Sequence, residues 1–261
     1  MKVAAVQMNP ELNNKEANKE KTLRFISEAV QQNAKVIVIP ELFSTGYRVE
    51  ENDFELSESI PGPTTSWLED ISKQYDVTLI ACILETSHIT GYVYDTAFIV
   101  SPNGLIGKYR KVHLWDQEIK RFSTGDEFPV FDVEGYKIGM QICYEIGFPE
   151  GSRILASKGA DIIVYPSAFG KKRLYAWNIA SRSRALENGC YVIAANRIGI
   201  EKNETEFGGH SKIINPQGEV LNEAGAEEGV IVNSIDKKSI ATQRVNIPYL
   251  RDLKYDLFYR K

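Results

Sequence analysis

The chain has 261 residues, 43% of them apolar and 25% charged, with a net charge of −4, an ordinary composition for a globular protein. The negative balance gives no electrostatic footprint for nucleic acid, and no apolar run approaches the ~20 residues that a membrane-crossing helix needs. Three widely spaced cysteines, Cys82, Cys143 and Cys190, make no disulfide framework, so a reducing cytoplasm is the expected setting.

The first residues, Met1-Lys-Val-Ala-Ala-Val-Gln-Met8, read as a strand (3–8) that runs straight into polar sequence, without the pattern of a signal peptide. Segment 14–33 sets Leu23, Ile26 and Val30 on one stripe of a helix. A short β-branched run at 36–39 leads into Pro40-Glu41. After the Pro61-Gly-Pro63 turn, a second helix over 64–75 carries Trp67, Leu68, Ile71 and Tyr75 on one face. Strands follow at 78–84, 92–100 and 106–111, the last two separated by the turn signal Ser101-Pro-Asn-Gly104. A strand over 136–143 ends at Cys143, where Gly147 and Pro149 punctuate a turn. Helices are expected at 149–158, with Pro149 at its first position, and at 174–188, stopping at Gly189. Strands at 161–165, 191–195, 211–214 and 229–234 complete the series, with Asn215-Pro-Gln-Gly218 marking a second hairpin. Most of these strands are almost continuously apolar, as strands covered on both faces are. Helices together with hairpins predict a layered α/β sandwich with mixed β-sheets. No linker or repeat divides the chain, so one domain over 1–261 is expected. Its basic and aromatic tail, about 237–261, forms a C-terminal arm that packs on its own body or on a partner chain.

Three reactive side chains fall at strand ends: Glu41 after 36–39, Lys111 after Ile106-Gly-Lys-Tyr-Arg, and Cys143 after Lys137-Ile-Gly-Met-Gln-Ile. Open α/β sheets expose their sites at the carboxyl ends of strands. A thiol needs a base or a local positive charge to become a nucleophile. A carboxylate supplies the base, and an ammonium stabilises an oxyanion beside the Tyr144 backbone N–H. Taken singly, each residue has an ordinary explanation as a small core hydrophobe, a rim carboxylate or a solvated charge. Cys82 and Cys190, inside apolar runs, fit the first of these.

The sequence around the three residues resembles the nitrilase, or carbon-nitrogen hydrolase, superfamily over almost the whole chain. The resemblance is carried by Pro40-Glu41-Leu42-Phe43 with Thr45-Gly46-Tyr47, by Gly107-Lys-Tyr-Arg-Lys111-Val-His-Leu114 and by Phe122-Ser-Thr-Gly125-Asp126. It continues in Ile142-Cys143-Tyr144-Glu145, Arg184-Ala-Leu-Glu187-Asn188 and Ala195-Asn196-Arg197-Ile-Gly199. It implies an α-β-β-α sandwich that pairs into larger assemblies, a homodimer or higher homo-oligomer. It also implies Glu41 as general base, Lys111 as oxyanion-stabilising residue, Cys143 as nucleophile and Glu118 as a second catalytic glutamate. No cofactor is implied. There is no metal-ligand spacing and no nucleotide-binding fingerprint. Tyr94-Asp95 departs from the Tyr-Asn of several relatives.

Tyr after the cysteine resembles the amidase branch. The resulting expectation is hydrolysis of a small carboxylic amide to acid and ammonia through a thioester. An N-carbamoyl hydrolase or a nitrilase is the alternative, and a silent relative that binds a metabolite or protein is the non-enzyme one. Tyr47, Trp115, Tyr144, Phe169 and Trp177, with Phe43 and Phe148, are candidates for a partly apolar substrate pocket. Lys171-Lys172-Arg173 and Arg182 offer charge for an anionic substrate tail. His113 is expected as a hydrogen-bonded loop support, and Arg184, Glu187 and Asn188 as anchors of the helix below the site.

Overall fold

The computed structural model describes residues 1–258. In chain order its elements are β1 (Lys2–Gln7), α1 (Lys15–Gln31), β2 (Val36–Val38), α2 (Asp53–Leu56), α3 (Pro63–Tyr75), β3 (Thr78–Thr86), β4 (Val93–Ser101), β5 (Gly104–Arg110) and α4 (Glu118–Arg121). The second half adds β6 (Val130–Val133), β7 (Tyr136–Met140), α5 (Pro149–Ser157), β8 (Ile162–Ser167), α6 (Leu174–Asn188) and β9 (Tyr191–Asn196). It ends with β10 (Ile198–Glu201), β11 (Thr205–Gly208), β12 (Lys212–Ile214), β13 (Val220–Glu223), β14 (Gly229–Ser234), α7 (Lys237–Asn246), α8 (Tyr249–Asp252) and α9 (Tyr255–Phe258).

Two six-stranded sheets form, in the orders β14-β1-β2-β3-β4-β5 and β13-β12-β9-β8-β7-β6. They share a plan. Each has a parallel triplet, β1-β2-β3 in one and β7-β8-β9 in the other, with antiparallel strands on its flanks. The alternation of side chains along β1 and β2 explains the layering. Val3, Ala5, Val36 and Val38 point into the core between the sheets, where they join Ile138, Met140, Ile162 and Val164. Ala4, Val6, Ile37 and Ile39 point the other way, against Phe25, Ile26 and Ala29 of α1 and Leu68 and Ile71 of α3. On the second sheet, Leu155 of α5 and Ala185 of α6 close the outer face. Strands buried on both faces cannot alternate apolar with polar, which is why they read as continuous hydrophobic runs. The result is the expected α-β-β-α sandwich.

Three differences from the sequence reading have physical causes. β7 stops at Met140, and Cys143 opens a separate 3-10 turn, Cys143–Gly147, with its own φ at +48°. An apolar run does not reveal where the backbone leaves the ladder. The short strands β6, β10, β11 and β13 carry mixed polar sequence and gave no periodic signal. The arm begins with a helix, α7, whose Ile240 is buried in the core and whose Arg244 donates to the Ala160 carbonyl at 2.6 Å. Residues 259–261 of the arm lie outside the described residues. No helix among the described residues is long and apolar enough to cross a membrane.

Candidate active site

The strand ends deliver their side chains to one place. Lys111 follows β5, and its Nζ donates to Glu41 Oε1 at 2.6 Å, to Glu118 Oε1 at 2.9 Å and to Asp95 Oδ2 at 3.1 Å. Glu41 lies just beyond β2, Asp95 is on β4 and Glu118 opens α4. All four are essentially solvent-free, at 0–1% exposure. The second carboxylate oxygens are also occupied. Glu41 Oε2 accepts from the Ala168 N–H at 2.6 Å, just past β8 on the opposite sheet. Glu118 Oε2 accepts from the Trp115 N–H at 2.7 Å, and its Oε1 also accepts from the Tyr47 hydroxyl at 2.7 Å. The three carboxylates offer oxygens within 4.8 Å of one another. The centre that a metal ion would take is filled by the Lys111 ammonium, so they do not form a metal site.

The electrostatics follow from burial and charge count. Burial disfavours the Lys111 ammonium, but Glu118, Glu41 and Asp95 together outweigh it and hold its pKa well above the usual lysine value. Lys111 therefore stays charged and cannot serve as a proton acceptor. Burial raises the Glu41 carboxyl well above the usual carboxylate range. Lys111 opposes that rise, while Asp95 and Glu118 add to it. Burial, and then the Glu41 charge, push the Cys143 thiol up, with Lys111 pulling the other way. The resting sulfur is thus a thiol rather than a thiolate.

Cys143 is buried but not sealed. It lines a cavity of about 480 Å³, together with Glu118, Ala168, Tyr47, Trp115, Tyr144 and Phe169. Its left-handed backbone, uncommon for a non-glycine residue, marks the turn that carries it. Cys82 and Cys190 have no such outlet. Cys82 donates to Asp95 Oδ1 at 2.9 Å, and burial pushes the Cys190 thiol up to about 12.

Four of the five aromatic candidates line the cavity, and Trp177 does not. Trp177 is fully buried behind Phe169, with ring centroids 5.3 Å apart, and its indole N–H donates to the His210 carbonyl at 2.8 Å. It is a core residue that supports the wall. Phe43 is likewise in the core between the first sheet and its helices, and Phe148 stacks on His113 at 4.0 Å. Of the basic residues, Lys172 and Arg173 line the cavity; Arg173 is half-buried, with its guanidinium 4.4 Å from the Trp115 ring centroid. Arg182 lies elsewhere, donating to the Gly218 carbonyl.

Sequence reading gave no role to Asp95, to the Ala168 N–H or to Glu145. Glu145 is fully buried and ties two parts of the site together. It accepts from the Tyr109 hydroxyl at 2.6 Å, from the Val112 and His113 N–H groups at 3.1 Å each, and from the Ile142 N–H at 2.8 Å. The backbone donors immediately follow Lys111, at Val112 and His113, and immediately precede Cys143, at Ile142. His113, expected as a loop support, joins through Nδ1 at 3.3 Å while its side chain stays 32% exposed. From below, Arg184 of α6 donates to the Ile146 carbonyl at 2.9 Å and pairs with Glu187. No local pattern in the sequence marks Glu145 for this role, because its backbone partners Val112 and His113 lie 33 and 32 residues upstream.

Comparison with known proteins agrees with the fold. A profile of the family described as carbon-nitrogen hydrolase matches residues 2–245. A protein named nitrilase from Pyrococcus abyssi is 41% identical over 251 residues, covering 94% of each chain. The human omega-amidase NIT2 is 36% identical over 255 residues, covering 94% of this chain and 92% of the relative. Among solved structures, a mutant amidase from Nesterenkonia sp. AN1 superposes with a TM-score of 0.87 at 25% identity, over 98% of each chain. It carries acrylamide added to its active-site cysteine.

Replacing Glu145 with Ala would strand the N–H groups of Val112, His113 and Ile142, each at a cost of about 1–3 kcal/mol if left unpaired. Glu145→Ala is therefore expected to lose at least ~3 kcal/mol of unfolding free energy in a denaturant titration. Glu145→Gln, which keeps one acceptor oxygen, should lose less. Wild-type stability in the Ala variant would contradict this reading of the clamp.

Proposed function

The chain belongs to the carbon-nitrogen hydrolase family and is an amide-cleaving enzyme, and we propose that Cys143, Glu41 and Lys111 carry its chemistry on a small carboxylic amide. The observation that carries this reading is the buried contact of Glu41 and Lys111 directly behind Glu118 and Ala168, which line the same cavity as Cys143.

In this reading the amide carbonyl carbon sits against the Cys143 sulfur. Because the thiol is protonated at rest, Glu41 takes its proton as the carbon–sulfur bond forms. The carbonyl oxygen becomes an oxyanion, held by the Lys111 charge and the Tyr144 backbone N–H; a single donor of this kind typically contributes ~3 kcal/mol. Glu41 returns its proton to the nitrogen, the carbon–nitrogen bond breaks and ammonia leaves a thioester on Cys143. Water then attacks the thioester carbon, giving its proton to Glu41. The acid departs as Glu41 reprotonates the sulfur. Glu118, fixed by Lys111, Tyr47 and the Trp115 N–H, sits between Lys111 and the cavity wall. There it holds the ammonium in place and presents an oxygen edge to the substrate amide. No step requires a cofactor.

The far end of the cavity supports a narrower substrate class. Among the described residues its lining includes four cations, two of them already paired, Arg48 with Glu50 and Glu204 and Arg121 with Asp53, while Lys172 is an exposed surface lysine. Arg173 instead stacks on Trp115 and, among the described residues, has no carboxylate partner. A substrate bearing a carboxylate a few atoms from its amide would pair with it. A dicarboxylic acid monoamide is such a substrate, and the omega-amidase name of the human relative points the same way. The nitrilase name of the Pyrococcus relative makes a nitrile the second candidate. One domain over 1–261, acting as a homodimer or larger homo-oligomer in the cytoplasm, completes the proposal.

Ammonia release from a panel of neutral amides, dicarboxylate monoamides, N-carbamoyl acids and nitriles should be fastest with a monoamide. Arg173→Ala should lower kcat/KM for it by roughly 10–100-fold, the worth of a charge-assisted hydrogen bond of about 1.5–3 kcal/mol, and leave a neutral amide almost unaffected. Equal losses on both substrates would remove the anion-binding role. Glu41→Gln should fold normally and lose about 10²–10⁴ in turnover; near-normal turnover would remove Glu41 as the base.

A further inference from the structure

We propose that Asp95 is a positioning residue for the reaction: as the third carboxylate acceptor around Lys111 it holds the ammonium in place and sets one more negative charge beside Glu41. The proposal deepens the reading of Glu41 as base and rests on it.

Asp95 holds Lys111 twice. Its side chain accepts from Nζ at 3.1 Å, and its backbone carbonyl accepts from the Lys111 N–H at 2.9 Å, extending the β4–β5 ladder by one residue. Cys82, beside it on β3, fixes the other carboxylate oxygen at 2.9 Å. Asp95 is fully buried, and its two carboxylate oxygens are taken by Cys82 and Lys111, which leaves it no contact with the substrate. Its effect must pass through Lys111 and Glu41.

The charges facing the cluster can be counted element by element. Glu41 comes from the end of β2, Asp95 from β4, Glu118 from α4 and Lys111 from the end of β5. The thiols are Cys82 on β3 and Cys143 after β7, and the phenol is Tyr47. Arg197, past β9, also acts on Glu41, but its guanidinium is committed to Glu201. Three carboxylates thus surround one ammonium where water cannot screen them. An uncompensated buried carboxylate takes up a proton rather than stay charged. Glu41 and Asp95 both bind the Lys111 Nζ, so the Asp95 charge lies beside Glu41 and makes its ionised form harder to keep. Without Asp95 the count would be two carboxylates to one ammonium, and Glu41 would ionise more readily. As in any tightly interacting set, the titration belongs to the cluster and not to one residue.

The sign follows. A general base works ionised, so kcat/KM falls as pH drops through the pKa of Glu41 in the free enzyme. Asp95→Asn keeps the shape and an oxygen acceptor but removes one negative charge, so the acid limb of the kcat/KM profile should move to lower pH. A purely structural role would lower the rate at every pH and leave the limb where it was. An unmoved limb, or one moved to higher pH, overturns the proposal. A limb that is absent in wild type while Glu41→Gln stays active would instead remove Glu41 as base, and this proposal with it. Should Asp95→Asn fold poorly, infrared spectroscopy of the wild-type protein decides. A protonated-carboxyl C=O band, assigned to Glu41 by its loss in Glu41→Gln, that persists above the pH range of an ordinary glutamate supports the proposal, and a band already gone within that range overturns it.

Discussion

One buried cation organises this molecule. The Lys111 ammonium has no access to water, and a charge in that position is tolerated only when its hydrogen-bonding capacity is filled. It has three donors and three carboxylate acceptors: one from beyond β2, one from β4 and one from the start of α4. Each acceptor is itself held, by Ala168, Cys82, Tyr47 or Trp115. The strands, the short helix α4 and the loop bearing Tyr47 are therefore cross-linked through a single nitrogen. A displaced element would leave both a charge and its partner buried and unpaired.

That arrangement explains how the two sheets cooperate. The first supplies Glu41 and Lys111 from beyond strand ends and Asp95 from within β4. The second supplies Ala168 and the turn that carries Cys143. Glu145 bridges them, accepting from backbone beside Lys111 and backbone beside Cys143. The distance between cation and sulfur is thus fixed by backbone hydrogen bonds rather than by flexible side chains, the kind of preorganisation that electrostatic stabilisation of an oxyanion requires. The cavity borders this floor through Glu118, Ala168 and Cys143, and Trp115, Tyr144 and Phe169 give it an apolar wall and Arg173 a charge.

Much of this was legible in the residues. The doubly buried strands announced themselves as unbroken apolar runs, and the helices by stripes such as Trp67, Leu68 and Ile71. The placing of Glu41, Lys111 and Cys143 after strands also carried over to the structure. Other features were not legible. Asp95 sits inside a strand whose partners lie 13 and 16 residues away along the chain, and no local pattern distinguishes it from a structural acid. Trp177 carries the same apolar signal whether it lines a cavity or backs its wall. The outcome depends on its indole N–H finding the His210 carbonyl, a long-range event. Cys143 leaves its strand early through a left-handed backbone that hydrophobicity does not encode.

The claim at the centre of this account is that the thiol of Cys143 is acylated by the substrate amide. The most direct measurement is intact mass spectrometry of the protein quenched during turnover of a slow amide. The account predicts a mass gain equal to the acyl group, ammonia having been lost, that is absent in Cys143→Ala and accumulates in the wild-type protein. An adduct that persists in Cys143→Ala, or steady turnover by that variant, would contradict it.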